Sequence, residues 1–157
     1  MVVNMKIVKV LPGVLVVVLA LCLLAETAFA DFREDYNQAY QRYQAAGTRA
    51  EIKASAEAFL KLADRADAGA LRSNSLYWAA ECWYDLKDYA RALNSFEKVL
   101  VLPKSNKEEA ARYKVAVCYA RLGWTEAAKW ELNRFMRDYP SSSLVGKAKK
   151  ELKGLSK

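Results

Sequence analysis

The chain has 157 residues, 54% of them apolar and 27% charged, with no histidine and a formal net charge of +7. That length holds one ordinary domain, and the missing imidazole excludes Ser-His-Asp and Cys-His catalysis and every zinc site that needs a histidine ligand. Much of the apolar share sits in residues 1–30, so the remainder has the composition of an ordinary globular domain.

Residues 1–30 read as an export leader. Lys6 and Lys9 form a positive start, and Val10 to Ala25 is almost wholly apolar. Ala28-Phe29-Ala30 then offers the small-x-small pattern that a signal peptidase cuts, which makes Asp31 the expected new terminus. Met5 begins a more compact leader, so Met1 and Met5 are alternative starts. The apolar run is interrupted by Pro12-Gly13 and is short for a bilayer core, which needs about 20 residues. A cleaved signal peptide and a periplasmic product are therefore expected, with an uncleaved membrane anchor as the alternative. Lipid attachment at Cys22 is not expected, because Leu21 stands where such signals carry a small residue. Removing the leader takes two lysines and Glu26 and leaves a net charge of +6.

Residues 31–72 predict a helical hairpin and a connector. Tyr36, Ala39, Tyr40 and Tyr43 share one helical face. Gly47 precedes Thr48-x-x-Glu51, a capping box whose side chains satisfy free amides at a helix start. Ile52, Ala56, Phe59, Leu60 and Ala63 form the second stripe, and a polar connector follows from Asp64 to Leu71.

Beyond it the chain repeats itself. A shift of 36 residues sets Tyr77 on Tyr113, Ala80 on Ala116, Cys82 on Cys118, Leu86 on Leu122 and Ala92 on Ala128. Trp83 meets Tyr119 and Phe96 meets Leu132, so size is kept where identity is not. Each unit, 73–104 and 105–140, predicts two helices. In the first, Leu76, Ala79, Ala80 and Trp83 make one stripe and Ala92, Phe96, Val99 and Leu100 the other, with a break at Leu86-Lys87-Asp88 and an end at Pro103. The second opens on Ser105-x-x-Glu108, read as another capping box, and turns at Gly123, where a positive φ is cheap. Its stripes are Ala111, Val115, Ala116, Tyr119 and then Ala128, Leu132, Phe135. The small residues at Ala80, Ala92, Ala116 and Ala128 let paired helices approach closely. Residues 141–157 predict a capping helix with Leu144, Ala148, Leu152 and Leu155 on one face and Lys147, Lys149, Lys150, Lys153 and Lys157 crowding the rest.

This order of residues resembles the tetratricopeptide repeat family, in which an aromatic, a Leu-Gly pair and a Tyr mark the first helix, and Ala, Phe and Pro the second. Leu76, Ala79-Ala80, Trp83, Ala92, Phe96 and Pro103 fill those sites in the first unit, and Arg112, Val115-Ala116, Tyr119, Ala128, Leu132 and Pro140 in the second. Ala80 and Ala116 stand in place of the family's Gly, and Arg112 in place of its aromatic. The Tyr139-Pro140-Ser141-Ser142 ending and the basic helix after it are similar to exported bacterial members, such as the periplasmic partner of the Tol–Pal system and the lipoprotein subunit of the outer-membrane assembly machine. The resemblance implies an all-α solenoid of about three hairpins plus a cap, acting as a non-enzymatic protein-binding adaptor of the cell envelope. It further implies that Asn74, Tyr77, Glu81, Tyr84 and Asp85, with Tyr113, Val117 and Arg121, line the groove that holds a partner's peptide or helix, while Ala80, Trp83, Ala92, Phe96, Ala116, Tyr119, Ala128 and Leu132 pack the repeats. An ordinary solvated face with incidental tyrosines is the alternative for the first set.

The remaining constellations point away from chemistry. Cys82 and Cys118 fall on successive parallel helices whose axes sit about 8–10 Å apart, which favours buried thiols over a disulfide without excluding one. Glu34-Asp35, Asp64-x-x-Asp67 and Glu108-Glu109 belong to helix starts and solvated surface. No phosphate loop, calcium loop or metal-spaced cysteine cluster is present in the sequence. No cofactor, metal, nucleic acid or small-molecule substrate is expected. The lysine-rich end leaves a second function open, binding to cell-wall polymer or an anionic membrane surface, against a plain solvated helix face.

Overall fold

The computed structural model describes residues 12–65, 69–103 and 105–156. The chain divides into two compact units, Met1–Asp35 and Tyr36–Lys157. The described part of the first unit is helical, being the opening stretch of α1 (Pro12–Ala45). A proline suits a helix start because its missing N–H would be unpaired there anyway. The helix runs unbroken through Ala28-Phe29-Ala30 and Asp31. Met5, Lys6 and Lys9 of the expected leader lie outside the described residues. Among the described residues, no helix is long and apolar enough to cross a membrane.

The second unit continues with the end of α1 and then α2 (Arg49–Asp64), α3 (Gly69–Asp85), α4 (Tyr89–Leu100), α5 (Glu108–Arg121), α6 (Thr125–Asp138) and α7 (Val145–Gly154). From α2 onward each helix packs on the next, so the unit is an all-α solenoid of helical hairpins. Its core has the expected composition. Ala80, Ala92, Ala116 and Ala128 are fully buried, as are Phe59, Phe96, Leu132 and Phe135. Small side chains at the crossings bring the backbones together, and the large ones fill the space on either side. Trp83 is buried too, while Tyr119 is half-exposed, donates from its hydroxyl to Glu97 at 3.2 Å and packs on the Trp124 ring.

The helix boundaries follow local chemistry. Thr48 and Glu51 form the capping box in full: the Thr48 hydroxyl accepts from the Glu51 amide, and the Glu51 carboxylate accepts from the Gly47 and Thr48 amides. Gly123 turns the second hairpin at φ 79°. The box expected at Ser105-x-x-Glu108 does not form. There α5 starts only at Glu108, its cap position is Lys107 with no side-chain cap, and Ser105 Oγ accepts from the Lys107 amide instead. Glu108 is drawn elsewhere, accepting from Arg112 Nη2 and from the Tyr139 hydroxyl, both at 3.1 Å. Through that pair Arg112 occupies the place of an aromatic residue. The connector after α2 is also shorter than expected, since Gly69 to Leu71 already belong to α3.

Candidate functional site

One face of the second unit gathers side chains from α1, α3, α5 and α7. The periodicity of α1 presents Tyr40 and Tyr43 toward α3, where both rings pack on Trp78, at 4.7 and 5.9 Å between centroids. Trp78 in turn meets Tyr77 edge-on at 5.6 Å, and Tyr77 rests on Phe96 of α4. The Lys107 ammonium lies over both Tyr77 and Trp78, at 5.4 and 5.9 Å, where ring quadrupoles attract a cation. Asn74, Tyr77, Glu81 and Tyr84 are half-buried along α3, and Asp85 is exposed at its end.

The charges on this face are matched across helices. The Tyr43 hydroxyl donates to Asp85 Oδ2 at 2.6 Å, which joins α1 to α3. Lys114 sits 2.8 Å from both carboxylate oxygens of Glu81 and also covers the Tyr84 ring at 4.5 Å, joining α5 to α3. Arg121 donates two bonds to Glu151, at 3.1 and 3.0 Å, in a fork that joins α5 to α7. The hydrogen bond to Glu151 holds the Arg121 guanidinium well above its usual pKa. Burial, followed by the nearby Glu81 carboxylate, pushes the Tyr77 phenol well above its usual range, and burial with the Asp85 bond does the same for Tyr43. These phenols stay protonated and act as fixed donors with apolar bodies.

Of the three residues expected in the second half of the groove, Arg121 is exposed but Tyr113 and Val117 are covered. Tyr113 and Val117 are only 8% and 3% exposed. They belong to a cluster with Ala116, Leu132, Phe135 and Ala148, against which Leu144, Val145, Leu152 and Leu155 pack. So α7 closes the face at that end, and its accessible part runs over α1 and α3. Trp78, Lys107 and Lys114 belong to this face but were not among the residues expected from the register. Trp78 directly follows Tyr77 midway along α3, and the tyrosine stripe of α1 was the cue that an aromatic partner lay opposite.

Cys82 and Cys118 are free and fully buried. Burial is the main cause that raises both thiols to about 12, with Asp85 and Glu81 adding to it at Cys82. Neither is a thiolate at neutral pH, so neither is an activated nucleophile. Among the described residues, no group of three His, Cys, Asp or Glu side chains is placed to hold a metal ion. Lys147, Lys149, Lys150 and Lys153 all lie exposed on α7.

The tetratricopeptide repeat family model matches residues 74–105 and 110–142. These segments cover most of the α3–α4 and α5–α6 hairpins, so the two regular hairpins are similar to tetratricopeptide repeats. Repeats of this kind generally serve as non-enzymatic scaffolds that bind other proteins. No curated protein matches the chain.

Proposed function

We propose that this protein is an exported adaptor of the bacterial cell envelope that holds a segment of another protein against the face formed by α1 and α3. The observation that carries the reading is the aromatic platform of Tyr40, Tyr43, Tyr77 and Trp78, bordered by the accessible Asp85 and Lys107. Rigid aromatic rings give a large contact area at small entropic cost, and a polar border fixes orientation. The leader-like start and the resemblance to exported bacterial repeat proteins support the envelope location. Burial of Tyr113 and Val117 removes them from the contact region and leaves Asn74, Tyr77, Trp78, Glu81, Tyr84 and Asp85, with the α1 tyrosines and the exposed Arg121.

Position-specific photocrosslinking in cells tests this. A crosslinking residue at Tyr43 or Asp85 is expected to trap one discrete partner, and one at Asn133, exposed on α6, is expected to trap none. The same product from both faces, or none from the inner positions, would overturn the assignment. Fractionation of the tagged full-length chain checks the location, with a periplasmic product of reduced mass expected.

A further inference from the structure

A second hollow region lies away from the aromatic platform, between α2 and α4. One hollow of about 330 Å³ is lined by Leu60, Trp83, Ala90, Arg91, Asn94, Ser95 and Lys98. Another of about 300 Å³ is lined by Arg49, Ala50, Lys53, Trp83, Leu86, Asp88 and Arg91. The two share Trp83 and Arg91, so they are halves of one groove that meet at this pair. Its walls carry four cations, Arg49, Lys53, Arg91 and Lys98, against a single lining acid, Asp88. Glu57 stands nearby, 3.9 Å from Lys53 in a solvent-exposed pair that is weakly held.

Arg91 is set for recognition. Its guanidinium lies 4.4 Å above the Trp83 ring, and its Nε pairs with Asp88 Oδ2 at 2.9 Å. Asp88 takes Nε, and a guanidinium carries further donors on its two terminal nitrogens that can receive a second carboxylate. Arg49 is anchored by donating to the Leu86 carbonyl at 3.0 Å. Between these charges the floor is apolar, made by Leu60, Trp83 and Leu86.

We propose that this groove binds an acidic segment of a partner protein, with carboxylates on Arg49, Lys53, Arg91 and Lys98 and an apolar side chain against Leu60. Charge complementarity selects the occupant: a net positive groove favours an anionic chain. The recessed apolar floor selects a peptide over a membrane, because a flat lipid surface meets the rim charges but puts no side chain into a hollow of this size. The site is separate from the aromatic platform, so an acidic segment bound here leaves that platform free for its own partner.

The probe is a short fluorescein-labelled peptide of glutamates flanking a central pair of leucines, titrated with the full chain and followed by anisotropy at low salt. Lys53→Glu with Lys98→Glu, both exposed positions, is expected to weaken binding about tenfold or more, and replacing the peptide's glutamates by glutamine is expected to do the same. Lys149→Glu with Lys150→Glu on α7 is expected to leave it unchanged. Unchanged affinity in the Lys53/Lys98 variant, or an equal loss in the α7 variant, overturns the groove. So does sedimentation with phosphatidylglycerol vesicles that depends on Lys53 and Lys98 when the peptide fails to bind. Circular dichroism on each variant separates loss of binding from loss of fold.

Discussion

Two hairpin turns related by the 36-residue shift use different residues for the same backbone. Lys87 sits at φ 62° and Gly123 at φ 79°. Only glycine enters this left-handed region freely, and a side chain costs about 1–2 kcal/mol there. A Cβ built on Gly123 meets nothing within 4 Å, so its backbone angle is the only obstacle to substitution. Gly123→Ala is therefore expected to destabilise the protein by about 1 kcal/mol, whereas Lys87→Ala exchanges one strained side chain for another and is expected to change little. Urea midpoints at unchanged slope check this; equal effects at both turns would show that the strain is absorbed elsewhere. The turn at Gly123 was legible from its residue type. That Lys87 takes the same angle was not, because lysine carries no signal for it, and only the repeat register points to the equivalence.

Among the elements, α2 and α5 show when a capping pattern becomes a cap. Both follow the Ser/Thr-x-x-Glu spacing, but only Thr48 and Glu51 close the box. Glu51 has its cap amides as hydrogen-bond donors, whereas Glu108 is taken by Arg112 and Tyr139, the latter from the far end of the next helix. A local pattern loses to a tertiary partner whenever that partner reaches the same carboxylate. The closed box has a pH signature. The Gly47 and Thr48 amides, and then the Thr48 hydroxyl, hold the Glu51 carboxyl below its usual pKa. A group depressed in the folded state contributes stability above its unfolded pKa and loses it as pH falls through the folded value. Glu51→Gln keeps a capping amide but does not titrate. The stability gap between the native chain and this variant is expected to be widest near neutral pH and to close in acid below the ordinary carboxylate pKa. Urea unfolding at stepped pH measures it, and a gap independent of pH would mean that the carboxylate charge has no part in the cap.

At the scale of the whole solenoid, the number and order of helices were legible because burial at a period near 3.6 residues recurs with the same side-chain sizes in both repeats. How far the terminal helix slides over its neighbour was not. Register assigns Tyr113 and Val117 to the positions of Tyr77 and Glu81; what differs is the cover. Over α3 lies α5, which places the charged end of Lys114 against Glu81 and leaves Tyr77 half-buried. Over α5 lies α7, which brings Ala148 and the half-buried Leu144, Val145, Leu152 and Leu155. An open solenoid end must bury its last apolar face, and here the cap takes part of the would-be groove to do so. Ending the chain at Ser143 removes those contacts, worth about 1 kcal/mol for each half-buried leucine or valine, together with the Arg121–Glu151 fork. Such a truncation is expected to lower the melting temperature, to bind a hydrophobic dye, and to speed amide exchange in α5 and α6 well before α2. Lys149→Glu with Lys150→Glu, on the exposed face of α7, is expected to do none of these. An unchanged melting temperature on truncation would mean that α7 does not hold the second repeat together, and Tyr113 and Val117 would then return to the accessible face.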